Sequence, residues 1–262
     1  MRYIFGDWEK LSERISGPER VLLCVDFDGT ITPIRPRPKD AKLNKNIRQL
    51  LRKISKNGAF FVGIISGRSL KDIKEKVGLK SLIFAGNHGL EIVYKNKKFI
   101  YPPAKKFIPA ISKLGLALRK ELKAFPEAVL EEKALSLSLH YRLVKGLRLS
   151  RLKKAFLRLS APYLAARKIK RTCGKKVWEV RPPIEWGKGE AVLWLLRKLR
   201  SKDILAVYIG DDLTDEDAFR TVNKIGGISV LVGRRKGSSA KYYLRSTKDT
   251  EKFLAEIEQL KS

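Results

Sequence analysis

The chain has 262 residues and a formal net charge of +30, from 57 Lys or Arg against 27 Asp or Glu. That length suits one large domain or two modest ones, with ample chain for a sizeable core. A composition of 44% apolar and 32% charged residues excludes a low-hydrophobicity disordered chain.

The longest apolar run, 58–65, is far short of a membrane span. Asp7 and Glu9 stand where a secretory signal needs unbroken apolar sequence. A soluble cytoplasmic protein is expected, with no membrane attachment. Two cysteines, Cys24 and Cys173, make neither a disulfide framework nor a zinc spacing. The positive charge selects anions as partners: phosphorylated metabolites, nucleic acid or acidic lipid.

Residues 21–28 (VLLCVDFD) form a continuous apolar run ending in acids, the pattern of a central parallel strand. A Pro-rich loop follows, and then Leu43, Ile47, Leu50, Leu51 and Ile54 mark one helical face. Residues 59–65 predict a second buried strand with Ser66-Gly67-Arg68 at its carboxyl end, followed by a helix over 69–76. A third strand is expected over 81–85 and a hairpin over 91–101. Phe107, Ile111, Leu114, Leu118 and Leu122 then mark a helix. Leu135, Leu137, Leu139, Tyr141 and Leu143 alternate with Ser136, Ser138, His140 and Arg142, a period of two that puts one set on a core and the other on a polar face.

Another helix (149–159) and a strand (176–181) complete an α+β insert of two strands and two helices. Residues 103–183 hold 21 Lys or Arg and five Asp or Glu, more than half the net charge of the chain. The α/β rhythm resumes with a helix over 188–199, a strand over 204–209 and a helix over 214–222, where Thr214 and Asp217 have capping-box spacing. A strand over 227–232 and a terminal helix over 248–260 finish the chain. The expected architecture is α/β, doubly wound and Rossmann-like, built from 1–102 and 184–262, with an α+β domain over 103–183 inserted.

Two acidic segments end buried strands. Asp26-Phe27-Asp28-Gly29-Thr30 places two carboxylates where open parallel sheets bind ligands, although a polar strand end with a glycine turn gives the same string. Residues 210–217 (GDDLTDED) hold five acids within seven positions, and their mutual repulsion calls for a cation. With no His or Cys nearby, that points to a hard ion such as Mg2+. Helix N-capping accounts for Asp215 to Asp217 but poorly for Asp211 and Asp212. Ser66 adds a hydroxyl at a strand end, and Lys188 an ammonium at a helix start where backbone N–H groups favour anions. An acid pair, an acid cluster, a hydroxyl and a fixed lysine make a set for phosphoryl transfer.

In order and content, DFDGT, IISGR, WGKGEA and GDDLTDED resemble the four motifs of the haloacid dehalogenase superfamily. AGNHGLEI (85–92), LEEKALSLSLHYR (130–142) and WEVRPPIEWGKGEA (178–191) narrow the resemblance to the trehalose-6-phosphate phosphatase family, over about residues 20–245. The resemblance implies a Mg2+-dependent phosphatase acting through an aspartyl-phosphate. In it Asp26 is the nucleophile, Asp28 the acid and base, and Ser66 and Lys188 bind phosphoryl oxygens. The metal falls to Asp26, the Asp28 backbone carbonyl and Asp211, with Asp212 and Asp215 in support. The insert becomes a cap, with Glu131, Lys133, His140, Arg142 and Glu179 as substrate residues beside Arg68 and His88 of the core.

A phosphatase for sucrose phosphate or a glucosyl glycerate phosphate shares the same core motifs. From another class, the charge concentrated in 145–176 suggests a nucleic-acid or anionic-surface binding protein, but that stretch holds only Phe156 and Tyr163 for stacking. The expected partner is therefore a sugar phosphate rather than a specific nucleic acid. A trehalose-6-phosphate synthase is a candidate protein partner, and the chain is expected to be a monomer.

Overall fold

The structure is a computed structural model that describes residues 1–261. In chain order its strands are β1 (Arg2–Tyr3), β2 (Arg20–Val25), β3 (Phe60–Ile65), β4 (Ile83–Gly86), β5 (Glu91–Tyr94), β6 (Lys97–Ile100), β7 (Val129–Glu132), β8 (Leu137–His140), β9 (Lys170–Gly174), β10 (Val177–Arg181), β11 (Ile204–Gly210), β12 (Ile228–Val232) and β13 (Tyr242–Leu244). The α-helices are α1 (Trp8–Ser16), α2 (Lys45–Lys56), α3 (Leu70–Val77), α4 (Ile108–Glu121), α5 (Gly146–Ala165), α6 (Lys188–Leu199), α7 (Glu216–Lys224) and α8 (Thr247–Gln259). Among the described residues, no helix is long and apolar enough to cross a membrane.

Two compact units result. The larger comprises Met1–Ile34, Ala41–Phe99 and the chain from Trp186 onward; the smaller comprises Arg35–Asp40 and Ile100–Glu185. The larger unit carries a nine-stranded sheet in the order β1-β13-β12-β11-β2-β3-β4-β5-β6. Pairing is parallel from β1 across to β4, and β5 runs antiparallel to β4.

The apolar run of β2 explains the layering. Val21, Leu23 and Val25 join one core with α1, α2, α3 and α8, while Leu22 and Cys24 join a second with α6 and α7. A strand buried on both faces reads as continuously apolar because alternate side chains serve opposite layers. The fold is therefore the expected doubly wound α/β sheet. Cys24 sits deep in the second layer, and burial pushes its thiol up, out of the reactive range.

The smaller unit is a four-stranded antiparallel sheet in the order β7-β8-β10-β9, with α4 and α5 packed on one face through Ile111, Leu114, Leu118, Leu152 and Phe156. It has four strands where two were expected. The two missed strands are the sheet's edges, β7 (VLEE) and β9 (KRTCG), whose charged, half-buried residues carry no apolar signal. The alternating run 135–143 yields only Leu137–His140 as strand. Its start is a hairpin turn in which Ala134 has φ +62° and the Lys133 N–H bonds the Ser136 carbonyl at 2.9 Å.

In the larger unit, β1, α1 and β13 were also unforeseen. The capping box expected for Thr214 and Asp217 is formed instead by Asp212 and Asp215, two residues earlier, because a 3₁₀ turn precedes α7.

Candidate functional site

Four segments end at the carboxyl edge of the large sheet. Asp26 follows β2 and Asp211 follows β11, adjacent parallel strands, and the Asp26 N–H bonds the Ile209 carbonyl at 2.9 Å. Lys188 opens α6, where Glu190 accepts from the Gly187 N–H and fixes the first turn. Its ammonium donates to Asp26 Oδ1 at 2.9 Å and to Asp215 Oδ1 at 2.6 Å, and all three side chains are at most 7% exposed. Asp215 also accepts from the Tyr208 hydroxyl at 2.6 Å, from Asp211 N at 3.0 Å and from Asp212 N at 2.9 Å.

Electrostatics separate the two acids that share this lysine. Burial pushes the Asp26 carboxyl well above the usual range, the charges of Asp215 and Asp211 push the same way, and Lys188 only partly opposes them. Asp215 is also buried, but Lys188, the Tyr208 hydroxyl and the backbone N–H groups hold it low. Burial alone would lower the Lys188 ammonium, yet the two carboxylates raise it well above an ordinary lysine.

Asp26, Asp211 and Asp215 bring carboxylate oxygens within 4.8 Å of one another. Three buried acids against one lysine leave negative charge in excess, and the donors are all oxygen. The residues therefore fit a hard divalent cation such as Mg2+. The turn is shaped for it: Gly29 has φ +83°, and a Cβ there would lie 2.0 Å from Asp211 Oδ2. The Asp212 side chain instead caps the following turn, accepting from Leu213 N at 2.7 Å.

The loop after β3 brings up the rest of the core set. Ser66 is buried, with Oγ accepting from Arg68 N at 3.2 Å. Arg68 forks onto Asp28, Nε and Nη2 donating at 2.6 and 2.7 Å, and its Nη1 donates to Asp72 at 2.6 Å. His88 is buried against Gly67, where a Cβ would sit 2.6 Å from its ring. Asn87 and His88 both have positive φ and lie next to Gly89, whose carbonyl accepts from the Trp186 indole at 2.7 Å. That bond ties the His88 loop to the segment leading into Lys188.

In the smaller unit, strand register does the assembling. Glu131 lies opposite Ser138, Ser138 opposite Glu179, and Glu179 opposite Thr172, a polar row on the face away from α4 and α5. Ser138 Oγ accepts from Lys133 Nζ at 2.7 Å and donates to Glu179 Oε1 at 2.8 Å, while His140 Nε2 lies 2.8 Å from Glu131 Oε2. Arg142 does not join; its guanidinium donates to the Lys175 carbonyl at 2.6 Å.

Sequence reasoning passed over Tyr208 and Thr172 in these clusters. Tyr208 is the one hydroxyl-bearing residue in the apolar strand ILAVYIG, a signal that was there to read. Thr172 sits in an edge strand with no such contrast.

Known proteins with the same pattern bear on this geometry. The sequence profile of the trehalose-phosphatase family matches residues 24–249. Trehalose-phosphate phosphatase B of Arabidopsis thaliana is 33% identical over 257 residues, covering 93% of this chain and 67% of that one. Probable trehalose-phosphate phosphatase 4 of Oryza sativa subsp. japonica is 34% identical, covering 97% and 70%. Among solved structures, the C-terminal domain of trehalose-6-phosphate phosphatase from C. albicans superposes with a TM-score of 0.84 at 23% identity over 96% of each chain, a likeness of fold. With the buried acids, serine and lysine gathered at one sheet edge inside the matched span, the chain belongs to the trehalose-phosphatase family and is a phosphoric monoester hydrolase.

Proposed function

We propose that the chain hydrolyses trehalose 6-phosphate to trehalose and phosphate, with Mg2+ as cofactor and a phosphorylated Asp26 as intermediate. The observation that carries the reading is Asp26 itself, buried at the end of β2 with Lys188 on one oxygen and Asp211 and Asp215 beside it. The substrate is the one named in the descriptions of the similar proteins.

In the first step a carboxylate oxygen of Asp26 attacks phosphorus and the sugar–phosphate P–O bond breaks. Asp28 gives its proton to the departing sugar oxygen. In the second step Asp28 takes a proton from water as the water oxygen attacks phosphorus, and Asp26 leaves as the carboxylate. Lys188 and the Ser66 hydroxyl hold phosphoryl oxygens as charge redistributes. Mg2+, held by Asp26, Asp211, Asp215 and the Asp28 carbonyl with Asp212 supporting the turn, would neutralise phosphoryl charge. Glu131, Lys133 and Glu179, with His140, Arg142 and His88, are assigned to the sugar hydroxyls, which suit carboxylates and a lysine held in a fixed array.

The test is phosphate release from trehalose 6-phosphate, sucrose 6-phosphate and glucose 6-phosphate, with Mg2+ and with EDTA, beside Asp26→Asn. Release from the first substrate alone, lost with EDTA and in the variant, is expected. Comparable release from all three would overturn the substrate, and release surviving in Asp26→Asn would overturn the mechanism.

A further inference from the structure

We propose that Arg68 is a positioning residue for Asp28, clamping its carboxylate for proton transfer rather than binding phosphate or sugar itself. The inference rests on the acid–base reading of Asp28 given above.

Arg68 is built into the fold from both ends. Its N–H donates to Ser66 Oγ, and its carbonyl accepts from Asn87 N at 2.7 Å, so the backbone is tied to the loops on either side. Ser69 caps α3 by accepting from Asp72 N at 3.2 Å, which sets Asp72 in the first turn, four residues beyond Arg68. The guanidinium lies 5.4 Å from the centre of the Phe27 ring, which covers it. Arg68's side chain is 6% exposed, while that of Asp28 is 38% exposed. The anchored member of the pair is the arginine, and the accessible member is the acid.

The bonding geometry assigns the role. Nε and Nη2 meet the two oxygens of Asp28 as a two-point fork, which fixes the plane as well as the position of the carboxylate. Nη1 is committed to Asp72, so all three guanidinium nitrogens already face carboxylates. Left alone, a half-exposed aspartate samples several rotamers, and ordering it only when substrate arrives costs rate. The fork removes that freedom in advance. When Asp28 passes its proton to the sugar oxygen and later takes one from water, the arginine neither gains nor loses a proton.

The experiment measures the pre-steady-state release of the leaving group, which reports the first step alone, from trehalose 6-phosphate, whose alkoxide needs protonation, and from p-nitrophenyl phosphate, whose phenolate leaves without it. Arg68→Lys, Arg68→Gln and Asp28→Asn are assayed on both, with Asp72→Asn as a graded variant and thermal unfolding as the folding control. Arg68→Gln is expected to lower the first-step rate of trehalose release about 10²-fold, within the range of general acid–base effects. Its KM for trehalose 6-phosphate should change less than about threefold and its first-step release of p-nitrophenolate less than about fivefold, both well below that range. Arg68→Lys, a charge without the fork, should fall in between, because an ammonium cannot meet both oxygens in one plane.

A loss equal on both substrates, or one that appears in KM, overturns the proposal and makes Arg68 a substrate ligand. If Asp28→Asn itself loses equally on both substrates, the acid–base reading of Asp28 fails and the proposal falls with it. The two failures are therefore told apart by the Asp28 variant.

Discussion

Replacing Lys188 with Met removes the single cation from a buried trio and keeps the volume of its stem. Nζ lies 2.9 Å from Asp26 and 2.6 Å from Asp215, with side-chain exposures of 2, 7 and 0%. Breaking a buried pair from one side costs about 3–5 kcal/mol, because the remaining charge has no partner. Protonation sets a ceiling on that cost. At pH 7 a carboxyl with an ordinary value near 3.9 can be neutralised for about 1.36 kcal/mol per unit over three units, or about 4 kcal/mol. Asp26, already pushed up by burial and neighbouring acids, is the group that takes the proton.

The sign follows. A carboxyl whose folded value lies above its unfolded one contributes stability that is present below the unfolded value and lost as pH rises through the folded value. Lys188→Met should therefore be about 4 kcal/mol less stable than the parent at pH 7, but only about 1.5 kcal/mol less stable at pH 5, since two fewer units separate the solution from the carboxyl's ordinary value. Urea unfolding in EDTA at the two pH values reads the difference directly. An equal deficit at both, or less than about 1 kcal/mol at pH 7 where the buried-charge cost should be largest, would refute the account of Lys188 as the counterion of two buried acids.

Two further substitutions probe the metal turn and the smaller unit. Gly29→Ala puts a methyl where Asp211 Oδ2 stands, 2.0 Å away, at φ +83°. The Mg2+ concentration for half-maximal activity should rise at least tenfold, about 1.4 kcal/mol of lost binding, and an unchanged Mg2+ titration would separate Asp211 from the metal. Ser138→Ala removes the hydroxyl that links Lys133 to Glu179. Losing a bond to charged partners, about 1.5–3 kcal/mol, should raise the KM for trehalose 6-phosphate about tenfold or more. A KM that stays put would detach this cluster from sugar recognition.

The central strands of the large sheet were legible because they are buried on both faces. Runs such as 21–25 and 60–65 carry that burial as uninterrupted apolar sequence, and the polar residues that follow them, Asp26 and Ser66, mark the candidate functional edge. The edge strands β7 and β9 were not legible, since VLEE and KRTCG place charged side chains on half-buried edge positions. At the site, residue types located Asp26, Asp211, Asp215 and Lys188, yet spacing could not show which carboxylate a cation would face. Asp28 and Asp212 look alike in the motifs, but one is forked by Arg68 and the other caps a turn. Both outcomes depend on groups brought from elsewhere in the chain, or on the local 3₁₀ geometry after β11.

The unusual charge is distributed in a way that bears on what it can do. Residues 145–176 hold twelve Lys or Arg and no acid, while the catalytic edge of the larger unit is locally acidic. Two of those cations are matched from outside the stretch, Arg148 by Glu127 and Arg158 by Glu121, both at 3.0 Å. The aromatic side chains within it are turned inward: Phe156 stacks on Trp178 at 5.4 Å, and Tyr163 packs against the same core. Single-strand recognition needs aromatic faces presented outward beside the cations, so this stretch offers charge without a stacking platform. A field of that kind attracts any anion over long range at low salt and is screened beyond about 8 Å at physiological ionic strength. Such a field draws anions without telling them apart, so under the proposed function selectivity for one sugar phosphate falls to short-range arrays such as those around Asp26 and Glu179.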